Sequence, residues 1–333
     1  MTLMPQQSVD KDPFMTDRPV LVTGAAGFIG SNLVSRLLED GRRVIGVDDL
    51  SSGSLANLAV ARDRHPGQFE FTRMDVRSGG LVPLMEKTRP GEVVHLAAQV
   101  DVRRSVEDPA TDASINVLGT IAVLDAAVRA EVRKVVYAGS IGSYGEPPEE
   151  ILPIDESFDA PALSPYGVSK RVPIDYLATW RELYGLESTI LTFSNVYGPH
   201  QSATGEGGVV AVFADRMLAG QPCTIFGDGQ QTRDFVYVDD VVHALVLATE
   251  RGDGDRYLIG TAERTPIVQL FRALAAATGY RHEPVWERER PGEIRHSSVD
   301  ASKARRDLGW KPWTPLEEGL ASTLAWAAQK VGR

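Results

Sequence analysis

Tyr166 and Lys170 stand four residues apart in the segment Tyr166-Gly167-Val168-Ser169-Lys170, a spacing that puts both side chains on one face of a helix. An ammonium beside a phenol favours the phenolate and draws a tyrosine down from its ordinary pKa of about 10, as a general base acting on a sugar hydroxyl requires. Taken singly, such a pair is commonly no more than a solvated helix face. A second constellation gives it company. The run Thr23-Gly24-Ala25-Ala26-Gly27-Phe28-Ile29-Gly30 follows a short β-branched stretch and opens a helical pattern. Glycines placed this way permit a tight turn, close approach of the backbone to a pyrophosphate and tight packing of helix on strand, with the helix N-terminus facing the anion. Asp48 ends the next β-branched stretch, where a carboxylate can accept from ribose hydroxyls. Together these residues predict a dinucleotide site. The acid repels a 2′-phosphate and no Arg occurs between Asp49 and Ala61, so NAD is expected rather than NADP. Asp75 and Val76, at the end of a third stretch, can contact adenine, although Asp75 can equally cap the turn that follows. Ser140 closes a fifth stretch and would share its end of the sheet with the nicotinamide, where its hydroxyl can donate to a developing oxyanion. It can also be an ordinary strand-end turn serine.

For these residues to meet, the chain must bring the carboxyl ends of several strands to one edge. From Pro19 onward, short β-branched runs alternate with longer amphipathic ones, predicting strands at 20–23, 43–48, 69–75, 93–97, 134–140 and 188–195. Helices are predicted at about 28–40, 112–130 and 166–184. The near-continuous apolar runs Val93 to Ala98 and Val135 to Ala138 suit a parallel sheet covered on both faces. Right-handed crossovers then give an α/β fold, a doubly wound parallel sheet of the Rossmann kind, whose ligand lies beyond the strand carboxyl ends. After Gly198 the pattern turns to Gly- and Pro-rich loops, with helices near 207–220, 239–250 and 266–278 and a basic segment at 281–295. The predicted division is a loose tail over 1–17, with Met15 as an alternative start, a dinucleotide-binding lobe over 18–195 and a smaller C-terminal α/β substrate-binding lobe over 196–333. Residues 234–260, which read strand, helix, strand, can return to the first lobe.

Composition narrows the partners. The 333 residues carry 35 Lys and Arg against 45 Asp and Glu, a net charge of −10; nucleic acid is not expected, because neutralising its phosphates needs clustered cations. A small anionic substrate held by a few arginines remains open. No stretch approaches the roughly 18 apolar residues of a membrane span, and the first 20 residues lack a secretory core, so a cytoplasmic protein without a membrane partner is expected. The single cysteine, Cys223, excludes an intrachain disulfide framework. His95 lies in a buried strand without a second ligand at metal spacing, His243 is equally ordinary, and no metal site is expected.

Further segments complete a pattern: VVHLAAQVDVRRSVEDP from Val93, NVLGT from Asn116, GSIGSYG from Gly139, NVYGP from Asn195, GDGQQTRDFVYVDDVV from Gly227 and RPGEIRHSSVDASKARRDLGW from Arg290. Joined to the glycine turn and YGVSK, they resemble the extended short-chain dehydrogenase/reductases, and within them the UDP-glucose 4-epimerases and related nucleotide-sugar epimerases, from about Pro19 to Trp326. The resemblance implies NAD as cofactor, a UDP-sugar as substrate and reversible inversion at carbon 4 through a transient 4-keto sugar. It implies Ser140, Tyr166 and Lys170 as the catalytic set, with Ser140 chosen by counting back five residues from Gly145. Because the family usually carries a run of Ser and Thr there, whereas this chain reads Ala138-Gly139-Ser140-Ile141-Gly142-Ser143, Ser143 stays open as the donor. Leu96, Ala97 and Ala98 join Gly24, Gly27, Phe28, Ile29, Gly30, Asp48, Asp75, Val76, Tyr166 and Lys170 as implied cofactor contacts.

For the substrate, the resemblance implies Asn195, Arg233 and Arg290 on the diphosphate and uridine, and guanidinium forks suit phosphate. Without it, Arg233 beside Asp234 and Arg290 among Glu287, Glu289 and Glu293 read as exposed ion pairs. By the same resemblance, Ser297 aligns with the family position where a bulky residue narrows the sugar pocket and a small one leaves room for an N-acetyl group, so UDP-N-acetylglucosamine and UDP-N-acetylgalactosamine join UDP-glucose and UDP-galactose as expected substrates. Pro173, three residues after Lys170, is expected to kink the helix beyond the catalytic pair. Dehydratases of the family place an Asp-Glu pair beside the active-site hydroxyl where this chain has Ile141-Gly142. A nucleotide-sugar 4,6-dehydratase or decarboxylase therefore ranks second, and a catalytically silent NAD-binding sensor ranks behind both because the acid–base pair is intact. Relatives commonly dimerise through paired helices, so a homodimer is expected.

Overall fold

The computed structural model describes residues 18–204, 208–289 and 294–331. Seven parallel strands form the central sheet: β1 (Val20–Thr23), β2 (Val44–Asp48), β3 (Phe69–Arg73), β4 (Glu92–His95), β5 (Lys134–Ser140), β6 (Glu187–Phe193) and β7 (Asp255–Ile259). Their order across the sheet is β7-β6-β5-β4-β1-β2-β3, so the chain reverses direction between β1 and β4. Such a reversal opens a crevice beyond the strand carboxyl ends, where ligands of doubly wound sheets bind. The 1–17 tail lies outside the described residues.

Side-chain alternation along each strand supplies both faces of the core. Val20 and Val22 of β1 pack into one apolar cluster with Leu33, Leu37 and Leu245, while Leu21 between them enters another with Val123, Leu124 and Leu177. On β5, Val136 joins the first cluster and Val135 and Tyr137 the second. The flanking helices are α1 (Phe28–Glu39), α2 (Gly119–Arg129), α3 (Pro165–Tyr184), α4 (Val209–Leu218), α5 (Val238–Glu250), α6 (Ile267–Thr278) and α7 (Leu316–Val331). β7, from beyond Gly198, extends the sheet on β6, and α5 packs on α1.

Three details bear on the site. The stretch Pro109–Arg129 is one helical run, long and apolar enough for a membrane span by length and composition, and its buried Val123, Leu124, Ala126 and Ala127 line the core. Within it, Ser114–Leu118 forms a π-helical turn, a feature that inserts a residue and re-aims side chains near functional sites. α3 holds Pro173 within it: Pro173 is buried and the helix runs on to Tyr184, where Gly185 ends it at φ +68. The lost N–H removes one hydrogen bond, and Leu177, buried one turn later, keeps that face packed on the core.

Candidate active site

The first loop is a cradle that no side chain could enter. Gly24 adopts φ +68, and a Cβ there would stand 2.8 Å from the Ala97 nitrogen; at Gly30 it would stand 2.0 Å from the Gly24 carbonyl oxygen. Thr23 Oγ1 accepts from Leu96 N and Ala97 N, both at 3.2 Å, which draws the end of β4 against the turn. Asp48 is 7% exposed. Its Oδ2 accepts from Ala26 N at 2.9 Å and Oδ1 from Leu50 N at 2.8 Å. Burial pushes its carboxyl up, against the pull of those N–H groups. This geometry fits a dinucleotide, with its pyrophosphate on the α1 N-terminus and a ribose at Asp48. Val76 is buried beneath Gly119, and Ala98 is partly exposed along the same loop. Asp75 takes the second role open to it: its carboxylate accepts from Arg77 N at 2.8 Å and pairs with the Arg77 guanidinium, which holds it below the usual range.

Tyr166 sits in the first turn of α3. Ser164 Oγ accepts from Gly167 N at 3.2 Å and Ser105 Oγ from Tyr166 N at 3.1 Å, so side chains satisfy donors that a helix start leaves open. Ser140 lies beside the Tyr166 phenol, where its hydroxyl favours the ionised form, and Gly142 N donates to Ser140 Oγ at 3.2 Å. Ser143 instead donates to the Ser140 carbonyl at 2.7 Å, which engages its hydroxyl with the backbone. Lys170, 5% exposed, holds Nζ 4.5 Å above the Tyr137 ring.

Electrostatics correct one expectation. Lys170 does not draw the phenol down: burial raises Tyr166 above its ordinary value, against the Ser140 hydrogen bond, and lowers Lys170 to about 7. A dry pocket penalises either charge, and here that penalty sets the direction of both shifts. His95 follows the same physics. Its ring lies between Thr23 Oγ1 at 2.7 Å and Thr120 Oγ1 at 3.1 Å, and burial lowers it to about 3.

Beneath this pair lies a polar network that the sequence reading missed. Asn116 Nδ2 donates to Ser169 Oγ at 2.9 Å, to the Gln99 carbonyl at 3.0 Å and to Asp112 Oδ1 at 3.2 Å, while Gln99 Nε2 donates to Asp112 Oδ1 at 2.8 Å. Asp112 and Asn116, polar and four residues apart on an otherwise apolar helix, were the available signal.

The residues expected to hold the substrate lie in the second part of the chain. Asn195, on the short strand Asn195–Tyr197, presents a buried Oδ1 without a partner among the described residues, and so does the hydroxyl of Ser297, 3% exposed. Arg233 lines a cavity of about 70 Å³ with Phe226, Gln231, Glu289, Ile294 and Arg295. Asp234 beside it turns inward, accepting from Thr261, Ala262 and Val299 backbone N–H groups. Arg290 lies outside the described residues. The loop after Asn195 is tied to the cofactor helix, with His200 Nδ1 2.8 Å from Ser31 Oγ and Asn32 Nδ2 donating to Pro199 O at 3.1 Å.

Known proteins resemble this chain along nearly its whole length. A UDP-glucose 4-epimerase of Mycolicibacterium smegmatis is 46% identical over 93% of this chain and 98% of its own. The crystal structure of a Thermotoga maritima UDP-glucose 4-epimerase with UDP-glucose superposes with a TM-score of 0.90 at 42% identity, covering 94% of this chain and 99% of that one. A Thermus thermophilus UDP-glucose 4-epimerase in complex with NAD gives 0.85 at 37% identity, over 93% and 98%. Residues 20–260 match the profile of one family, and with relatives this similar along nearly the whole length, the chain belongs to the NAD dependent epimerase/dehydratase family.

Proposed function

We propose that this enzyme interconverts the carbon-4 epimers of a UDP-hexose, UDP-glucose with UDP-galactose and, given the small Ser297, their N-acetylamino counterparts. The observation that carries the reading is Ser140 against the Tyr166 ring across Gly142, with Lys170 one turn further along the same helix, at the edge of the parallel sheet where the glycine turn after β1 also lies. Bound NAD supplies the acceptor and donor of hydride at carbon 4. The chain's residues do the rest. Tyr166 takes the proton of the 4-hydroxyl as that carbon becomes a ketone, and Ser140 donates a hydrogen bond to the same oxygen. Lys170, one turn along the same helix, contributes a positive charge that offsets part of the cost burial puts on the phenolate. Asn195, Arg233 and Arg290 hold the nucleotide while the 4-keto sugar turns over, and Tyr166 returns the proton once the other face is presented. No net redox change results.

A dehydratase would need acids at the reacting oxygen. Position 142 lies against it, since a Cβ there would stand 3.5 Å from Ser140 Oγ and 3.8 Å from the Tyr166 ring, and it is a glycine preceded by Ile141. We further propose a homodimer and a cytoplasmic setting, the latter suited by an unpaired, buried Cys223. The test is NMR of UDP-glucose incubated with enzyme and NAD. UDP-galactose is the expected product, and Tyr166→Phe should lose roughly 10²–10⁴-fold in kcat while still binding NAD. Release of a 4-keto-6-deoxy sugar, or near-normal turnover by the Phe variant, overturns the reading.

A further inference from the structure

Asp112 is a charged side chain that the mechanism leaves unused. It is 1% exposed, on the helical turn Pro109–Ala113 packed against α3. Both amides that reach it, Gln99 Nε2 and Asn116 Nδ2, donate to the same oxygen, Oδ1. Oδ2 is buried and has no hydrogen-bond partner among the described residues. A buried carboxylate with one oxygen unmatched is costly unless a charge nearby compensates it. The network leads to that charge: Asn116 Nδ2 bridges Asp112 to Ser169 Oγ, next to Lys170 in α3.

We propose that Asp112 is the fixed counter-charge of the catalytic pair, a positioning residue that keeps Lys170 an ammonium inside a dry pocket. The inference rests on the reading of Tyr166 and Lys170 given above. The titratable groups around Lys170 are few. His95 of β4 is held uncharged by burial, Tyr137 of β5 lies under the ammonium with its phenol raised well above its ordinary value, and Tyr166 is one turn earlier on α3. Asp112 is the charge that opposes the dehydration of Lys170, and the same charge works against ionisation of Tyr166. It therefore displaces both members of the pair in one direction, upward in pH.

Asp112→Asn keeps an acceptor for the two amides and removes the charge. The bell-shaped pH profile of kcat, whose limbs belong to the pair, should slide to lower pH by about one unit on both sides, with KM for the UDP-sugar unchanged. Asp112→Glu, which returns the charge, should restore the position of the bell. Gln99→Ala, which cuts an amide and leaves the charge, should lower the rate without moving the bell. A near-ultraviolet titration of the phenolate, taken as the difference from Tyr166→Phe, should show Tyr166 ionising at lower pH in the Asn variant without reference to turnover. A slower Asn variant with an unmoved bell, or a Gln99→Ala bell that moves equally, overturns the proposal. If Asp112→Asn does not fold, Asp112→Ser is titrated in its place with the same two outcomes. A Tyr166→Phe enzyme that still turns over would instead remove the underlying reading, so the two failures are distinguishable.

Discussion

At the scale of the residue, the site holds its charges in reserve. A phenol above its ordinary value beside a lysine at about 7 means that neither group is ionised cheaply without the other, so proton removal from a sugar waits on the assembled pocket. Ser297 is the residue proposed to decide which sugar enters. Its hydroxyl is buried and has no partner among the described residues, and its backbone N–H donates to the Thr232 carbonyl at 3.3 Å. Ser297→Tyr adds a ring to that wall, and overpacking of this kind costs about 1–3 kcal/mol. Activity on UDP-N-acetylglucosamine should fall roughly 10–100-fold relative to UDP-glucose; an unchanged ratio of the two would show that Ser297 does not face the acetyl group. The pair Tyr166 and Lys170 was legible because a four-residue spacing survives translation into a helix without other knowledge. Asp112 and Asn116 also have that spacing, yet their orientation depends on the π-helical turn at Ser114–Leu118, which no local propensity announces. Arg233 was legible only by resemblance, since its place beside Arg295 depends on contacts between segments far apart in the chain.

Among the elements, the parallel strands were readable because burial on both faces leaves apolar runs, and their ends were less so. The third strand stops at Arg73, two residues short of the predicted 75, because Asp75 bends the chain into its own turn. Short helices at Ala59–Arg64, Leu81–Thr88 and Val102–Glu107 escaped the reading, being only one or two turns long with too little period to register. What binds strands to helices is in part polar. His95 joins β1, through Thr23, to the start of α2, through Thr120, and stays uncharged at a pKa of about 3. The unfolded chain takes up that proton below about pH 6.5, so this contribution is whole above that pH and is lost as pH falls towards 3, at about 1.4 kcal/mol per unit. His95→Gln does not titrate. The stability difference between the two proteins in urea should narrow by about 2 kcal/mol between pH 7 and pH 5; a gap independent of pH would mean that His95 titrates alike in the folded and unfolded chains.

For the molecule as a whole, one surface is apolar beyond what this chain buries. Val168, Val172, Tyr176, Trp180 and Tyr184 recur every fourth residue of α3. The aromatic rings stack along it, Tyr176 on Trp180 and Trp180 on Tyr184, each pair 5.8 Å apart. Val168 is 49% exposed and Tyr184 56%, and Leu118 on the neighbouring helical run is 58% exposed. An apolar stripe on two adjacent helices suits an isologous contact, in which the same face of a second copy buries it and a four-helix seam closes the pair. That seam would lie behind Tyr166 and Lys170 on the same helix, so association would steady the catalytic turn. Val168→Glu places a carboxylate in the seam. Stranding a charge there costs several kcal/mol, so the dissociation constant of the proposed homodimer should rise by about 100-fold or more, read by sedimentation velocity over a range of concentrations. Exposed in the monomer, the same glutamate is harmless to the fold, so the thermal transition of the separated chains should keep its cooperativity. If Val168→Glu sediments as the unaltered protein does at every concentration, the stripe is not the interface.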